Sequence, residues 1–398
     1  MPKPSKTMKV LLLGASGVFG SRLAKLAASE DCVHLTLAAR NLAKLEELAA
    51  TLDCNADCSP DCMALDRDQL TALDLAGFDL VIDAAGPFQS SHMRVVVAAI
   101  AARVPYVDLA DGRDFIAAFP RFDENAKGAD VPLVTGASSI PALSHAVLDH
   151  LTLGWQVIDH IRIGIYPGNR APRGLSVVRA ILSYVGKPVR VFRDGRWQNV
   201  SGWGMTHREY IPGIGKRWAS VCDTPEQDLL VDRYAPREGA EFFAGLELGL
   251  LHLGLAAFAA PVRWGWVSSL APIARPMLAV AKWFLPFGSD RGAMSVQARG
   301  IDGAGAPVSR NFVLKADANR GPFVPVLAAL AMIRRFRDGD VPAAGAYACS
   351  GILELADFEH DMEMLGMKWV VEDRTSKLSA KSETQPQTGT IAADMASA

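Results

Sequence analysis

Four short stretches of this 398-residue chain carry residue types and spacings that could do chemistry. In "LLLGASGVFGSRLAKLA", Leu11 to Ala27, Gly14, Gly17 and Gly20 stand directly after an apolar run and directly before a helical pattern. In such a turn the first glycine makes the bend, the second lets backbone approach a phosphate, and the third lets helix and strand pack closely. Ser16, Val18 and Phe19 complete the loop, and the N–H groups and dipole of the helix that follows favour an anion. The spacing is G-x-x-G-x-x-G, which in this strand–turn–helix context predicts a dinucleotide seat.

The second stretch decides which dinucleotide. The strand "VHLTLAAR" ends in Arg40, followed by Asn41, with no carboxylate at its tip. A free ribose 2′-hydroxyl would call for Asp or Glu there, whereas a forked guanidinium suits a 2′-phosphate, so the expected cofactor is NADP(H).

The third group comprises the loops after the fourth, fifth and sixth strands, "AAGPFQSS", "DLADGRDF" and "TGASSIPALS". In an open parallel sheet these face the ligand. Gly86, Pro87 and Phe88 would pass beside the cofactor ring, while Asp111, Ser138 and Ser139 are candidate substrate contacts. A fourth stretch, "IYPGNRAPRG", sets Asn169, Arg170 and Arg173 before a helix as a carboxylate or phosphate clamp, with a plain solvated loop as the equal alternative. No tyrosine stands four residues before a lysine, since Tyr184 and Lys187 are one residue short, and no cysteine lies between Cys62 and Cys222. Tyrosine–lysine and thioester chemistries are therefore disfavoured, which leaves direct hydride transfer.

These residues need a scaffold. From Met8 to about Leu153, six short apolar runs alternate with helical patterns, the signature of a doubly wound, Rossmann-type parallel α/β sheet over residues 1–153. From 154 to 320 the strands lengthen and alternate, as in "HIRIGIYPG", "VRVFRDGRW", "SVQARG" and "RNFVLKA", predicting an α+β substrate or dimerisation domain with an antiparallel sheet. An apolar helical tract is expected at 240–288. Residues 321–373, opening on the amphipathic pattern "FVPVLAALAMIRRF", should return to the first domain, and the polar tail 374–398 reads as disordered.

Composition limits the partners. With 41 basic against 43 acidic residues, the net charge of -2 offers no field for nucleic acid. Six cysteines in so long a chain are too sparse for a disulfide framework and fit a reducing, cytoplasmic setting. The N-terminal stub reads as no signal peptide. Cys54, Cys58 and Cys62 lack metal-ligand spacing, and no metal is expected. The methionines of "HDMEMLGMKW" and the histidines His145 and His150 read as packing or surface residues.

Together "GASGVFGSRLA", "DAAGPFQ", "PYVDLADGRDF" and "TGASSIPALSHAVLDHL" resemble the saccharopine dehydrogenase-like oxidoreductases. The resemblance implies an NADP-binding Rossmann domain, an inserted α+β domain, and reduction at a carbon–nitrogen or carbon–carbon double bond. It carries nucleotide roles onto Gly14, Gly17, Gly20, Gly86, Pro87 and Phe88. Two departures stand out: Ala110, Asp111 and Gly112 stand where members often carry an acidic residue in a "VDLSGE"-like stretch, keeping the charge but shortened, and Ser138 and Ser139 stand where many place an aspartate before the serine.

Phe242 to Val262 is long enough to span a bilayer but carries Glu247 and His252. A helix lining an apolar substrate cavity or a dimer face is the first reading, with peripheral membrane contact and a true span behind it. Glu247 in such a cavity would be an acid candidate. The competing function is a nucleotide-binding scaffold without turnover, which NADPH consumption against carbonyl-plus-amine mixtures separates from an enzyme.

Overall fold

The computed structural model describes residues 7–54, 59–172, 174–373 and 375. The expectations for Cys58, for Arg173 and for the 374–398 tail, Thr375 apart, concern residues outside this set.

The first six strands are β1 (Met8–Leu13), β2 (Val33–Ala39), β3 (Asp61–Ala64), β4 (Leu80–Asp83), β5 (Tyr106–Asp108) and β6 (Pro132–Thr135). They are parallel, in the order β6-β5-β4-β1-β2-β3. Val10 to Leu13 are at most 1% exposed, because alternate residues of β1 feed two different cores. Val10 and Leu12 pack on the side that holds the helix Gly20–Ala27, and Leu11 and Leu13 pack on the side of Val95, Val96 and Ala99 from the helix Arg94–Ala102. Burial on both faces is why these strands read as continuous apolar runs.

The second sheet contains β7 (Val157–Tyr166), β8 (Pro188–Arg193), β9 (Arg196–Ser201), β10 (His207–Ile211), β11 (Gly215–Val221), β12 (Gly239–Ala244), β13 (Gly292–Ile301) and β14 (Pro307–Ala316). It is mixed rather than purely antiparallel, since β12 runs parallel to β7. The crossover between them includes two helices, Leu175–Tyr184 and Glu226–Tyr234, and a parallel neighbour requires a connection of that length. The first part of the expected helical tract is thus a strand, with Phe242 and Phe243 entering different cores. An apolar run of this length fits a buried strand as well as a helix. The helix begins only at Gly249 and ends at Arg263, and among the described residues no helix is long and apolar enough to cross a membrane.

After β14 the chain returns. The helix Val324–Asp338 packs against Gly20–Ala27 and is buried along most of its length, so it is a core helix rather than a one-faced amphipathic one. Arg334 grips Glu30 at 2.8 Å and Asp361 at 2.6 Å. Then β15 (Gly345–Ala348) adds a seventh parallel strand beside β6. The last strand, β16 (Lys368–Asp373), pairs antiparallel with β14 of the second sheet, which corrects the expectation that all of 321–373 joins the first domain. Met362 and Met367 are buried, while Met364 is exposed.

Three segments meet at one buried carboxylate. Ser144 donates to Glu226 at 2.5 Å, His145 Nε2 lies 3.0 Å from the other oxygen, and Ser350 Oγ lies 2.6 Å from His145 Nδ1. Ser144, His145 and Glu226 have no exposed surface. Breaking such a buried set strands its remaining partners, so Glu226→Ala should lower unfolding free energy by about 3–5 kcal/mol in urea titrations, and a loss below about 1 kcal/mol would contradict this role.

Candidate nucleotide site and interdomain cleft

The glycine loop is built by close approach. Gly14 has φ +73°, donates to Ala38 O at 2.8 Å, and a Cβ on it would come 2.8 Å from Ala85 Cα. A Cβ on Gly20 would collide with Gly14 O and lie 2.8 Å from Ala15 Cα. Gly17 donates to Gly14 O at 2.9 Å and Ser21 to Gly17 O at 3.0 Å, while among the described residues the amides of Ser16, Val18 and Phe19 have no acceptor. The helix Gly20–Ala27 has no acidic residue in its first turn and no side-chain cap. Open amides at a positive helix end are the donor set that a diphosphate requires.

This loop opens on a cleft of about 1090 Å³ between the sheets. Of the residues singled out from sequence, Gly14, Ser16, Gly17, Val18, Phe19, Arg40, Asn41, Gly86, Pro87, Phe88, Asp111, Ser138 and Ser139 line it. Gly20 does not, and acts through packing. Asn41 has a second task, accepting from Lys44 N at 3.1 Å as the cap of the helix Leu42–Ala49. Lys44 itself lines the cleft beside Arg40, a second cation that sequence reasoning passed over.

Asn169 and Arg170 correct the proposed clamp, because neither lines the cleft. Asn169 Nδ2 donates to Phe284 O at 2.7 Å and its amide to Glu247 at 2.7 Å. Arg170 bonds the carbonyls of Leu285 and Pro286. Main-chain carbonyls occupy the donors meant for a substrate anion. Glu247 is likewise no acid candidate: it accepts from Asn169 N, from Ser289 N and Oγ, and from Arg217 at 3.2 Å. Against burial, these donors hold its carboxyl below the usual range.

Two strand-end aspartates shape the loops. Asp83, at the end of β4, accepts from Ala85 N at 3.0 Å and from Arg67 Nε at 2.7 Å, and the Arg67 guanidinium stacks 5.0 Å over the Phe88 ring. Asp108, at the end of β5, accepts through Oδ1 from Ala110 N, Thr135 Oγ1 and Gly136 N at 2.8–2.9 Å. Its Oδ2 is buried and has no hydrogen-bond partner among the described residues. Burial, aided by the nearby Asp83, pushes the Asp108 pKa up to about 7 against the three donors. The signal was present in "VID" and "YVD", two acids closing adjacent parallel strands.

At the far end, Gln89 Nε2 donates to Asp111 Oδ1 at 3.0 Å. Asp111 opens to the cleft, yet the surrounding protein raises its pKa by desolvation. Also lining the cleft, from the second domain, are Tyr184, Cys222 and Thr224, whose buried Oγ1 has no partner among the described residues. The Cys222 thiol donates to Ser220 O at 3.6 Å. Sequence reasoning missed Cys222 here because it arrives from the other sheet, but burial pushes its thiol up to about 12, far from a nucleophilic thiolate. Phe242, Met294 and Leu314 supply an apolar floor. Among the described residues no His, Cys, Asp and Glu group could hold a metal ion.

Asp108 makes a pH prediction. A carboxyl with a raised folded pKa favours folding at low pH and loses that contribution as pH rises from about 4 to about 7. Asp108→Asn should flatten the pH dependence of unfolding free energy across that window, and an unchanged slope would contradict the assignment.

Residues 10–135 match the family model described as saccharopine dehydrogenase NADP binding domain. No curated protein sequence matches the chain. Among solved structures, apo saccharopine dehydrogenase (L-Glu forming) from Saccharomyces cerevisiae is 14% identical, with TM-score 0.65, over 92% of this chain and 99% of that one. A meso-DAPDH mutant from Clostridium tetani E88 is 13% identical over 90% and 99%, with TM-score 0.43. Residues 10–135 are thus similar to the saccharopine dehydrogenase NADP binding domain family, within an overall fold like that of the yeast dehydrogenase.

Proposed function

We propose that this protein is an NADP(H)-dependent oxidoreductase acting on an imine or activated double bond of a small, apolar substrate. One observation carries the reading: a single cleft joins open amides and two cations at one end to an apolar floor with a carboxyl at the other. Ser16, Val18 and Phe19 would hold the diphosphate through their amides, with Gly14, Gly17 and Gly20 giving the room. Arg40 and Lys44 would grip the 2′-phosphate, and Asn41 fixes the turn that presents Lys44. Gly86, Pro87 and Phe88 would wall the nicotinamide end, steadied by Arg67. The dinucleotide, when bound, supplies or accepts the hydride.

The remaining work falls to the chain. Phe242, Met294 and Leu314 bury the apolar body of the substrate and exclude water. Ser138, Ser139 and Thr224 offer hydroxyls to its polar end. Asp111 carries the proton: it opens to the cleft, Gln89 orients it, and desolvation raises its pKa from the ordinary aspartate value.

Two measurements test this. Losing charge-assisted bonds worth about 1.5–3 kcal/mol, Arg40→Ala should weaken NADPH binding about 10- to 100-fold with NADH binding unchanged, and equal loss for both would reject the 2′-phosphate role. Asp111→Asn should lower reductive kcat by about 10²- to 10⁴-fold and remove the fall of activity on the alkaline side, where wild type loses its proton; a variant that keeps both the rate and that limb rejects Asp111 as donor.

A further inference from the structure

Among the described residues, over half of the large hydrophobic side chains that stand exposed fall between Leu250 and Phe287. The helix Gly249–Arg263 is firmly seated on its inner side, where His252, Leu255, Ala259 and Val262 are buried. His252 Nε2 lies 2.9 Å from Ser220 Oγ, and Leu246 N donates to its Nδ1 at 3.2 Å. Its outer side repeats Leu250, Leu253, Phe258 and Trp264 at helical spacing, all exposed. In the next helix, Ala274–Trp283, only Ala274 is buried. Trp266, Trp283 and Phe287 are 74%, 76% and 74% exposed. An apolar outer face of this extent is unusual on a protein surface and marks contact with something.

Charge identifies the occupant. From Leu248 to Ser289 there is no Asp or Glu, while Arg263, Arg275 and Lys282 are exposed and, among the described residues, have no acidic partner. A second copy of this chain, placed face to face by two-fold symmetry, would bring these cations together with no acid to offset them. Tryptophans, aliphatic side chains and unpaired cations on one face instead match an anionic lipid surface, where indoles sit at headgroup level and cations meet lipid phosphates.

We infer that the face formed by Gly249–Arg263 and Ala274–Phe287 docks in the plane of an anionic phospholipid membrane. The helices lie on the surface and do not span. The inference is independent of the redox reading.

Flotation of the full chain with vesicles tests it. Wild type should float with phosphatidylcholine–phosphatidylglycerol vesicles mixed at about two to one and bind pure phosphatidylcholine about tenfold less. Combined Arg263→Glu, Arg275→Glu and Lys282→Glu should lose about tenfold or more of the anionic-vesicle binding, and Trp266→Ser with Trp283→Ser should also weaken it, with NADPH binding and urea unfolding unchanged in both. Wild type that fails to float, or a charge-reversed variant that floats as well as wild type, overturns the inference. So does a dimer by light scattering that the tryptophan variant converts to monomer without any vesicle binding, since the occupant would then be a second copy.

Discussion

Everything at the cleft depends on the buried contact of Glu226 with Ser144 and His145. Neither sheet closes around a ligand by itself, so the width of the space between them is set where they touch. The same short segments do both jobs. Ser138 and Ser139 line the cleft just before Ser144 and His145, and Thr224 lines it two residues before Glu226. On the other side, Arg113 follows Asp111 by two residues and is held by Asp228 at 2.6 Å and Asp223 at 3.0 Å, next to Cys222. Residues so near a desolvated anchor have little freedom to drift, which helps a site shared by two sheets hold its shape.

Polarity changes along the cleft in one direction. At the glycine loop the donors are backbone amides, whose positions the fold fixes without side-chain entropy. At the outer rim they are long, exposed cations. Toward the second sheet the lining turns apolar, broken by one carboxyl and a few hydroxyls. Asp83 and Asp108 hold the loops between these regions from below, converting hydrogen bonds inside the protein into the shape of the wall above. A buried acid with three donors on one oxygen and, among the described residues, none on the other tolerates a proton on that second oxygen without losing the loop.

The first sheet was legible because burial on both faces leaves a plain apolar run and because a glycine triplet between strand and helix has few other uses. That Arg40 would stand on the cleft was legible by position alone. Lys44 was not, since a lysine inside a helix usually faces water. The second sheet was harder to read. "EFFA" continues directly into an apolar helix, and only Gly245 and Gly249 mark the break, so strand and helix merged into one tract. Glu247 stood out as a charge in that tract, but its partners, Asn169, Arg217 and Ser289, are distant in sequence, and no local pattern announces them. Cys222 and Thr224 were hidden for the same reason, as were β15 and β16, whose partners lie far back in the chain.

The returning helix Val324–Asp338 has a consequence for how the molecule comes into being. The helix that follows the loop of open amides, Gly20–Ala27, rests against it, and β15 completes the sheet after it. During synthesis the nucleotide seat therefore waits, half-supported, until residues 324–348 have left the ribosome. Early segments of such a chain keep apolar surface bare for longer than a self-contained domain would, a window in which chaperones have most to shield.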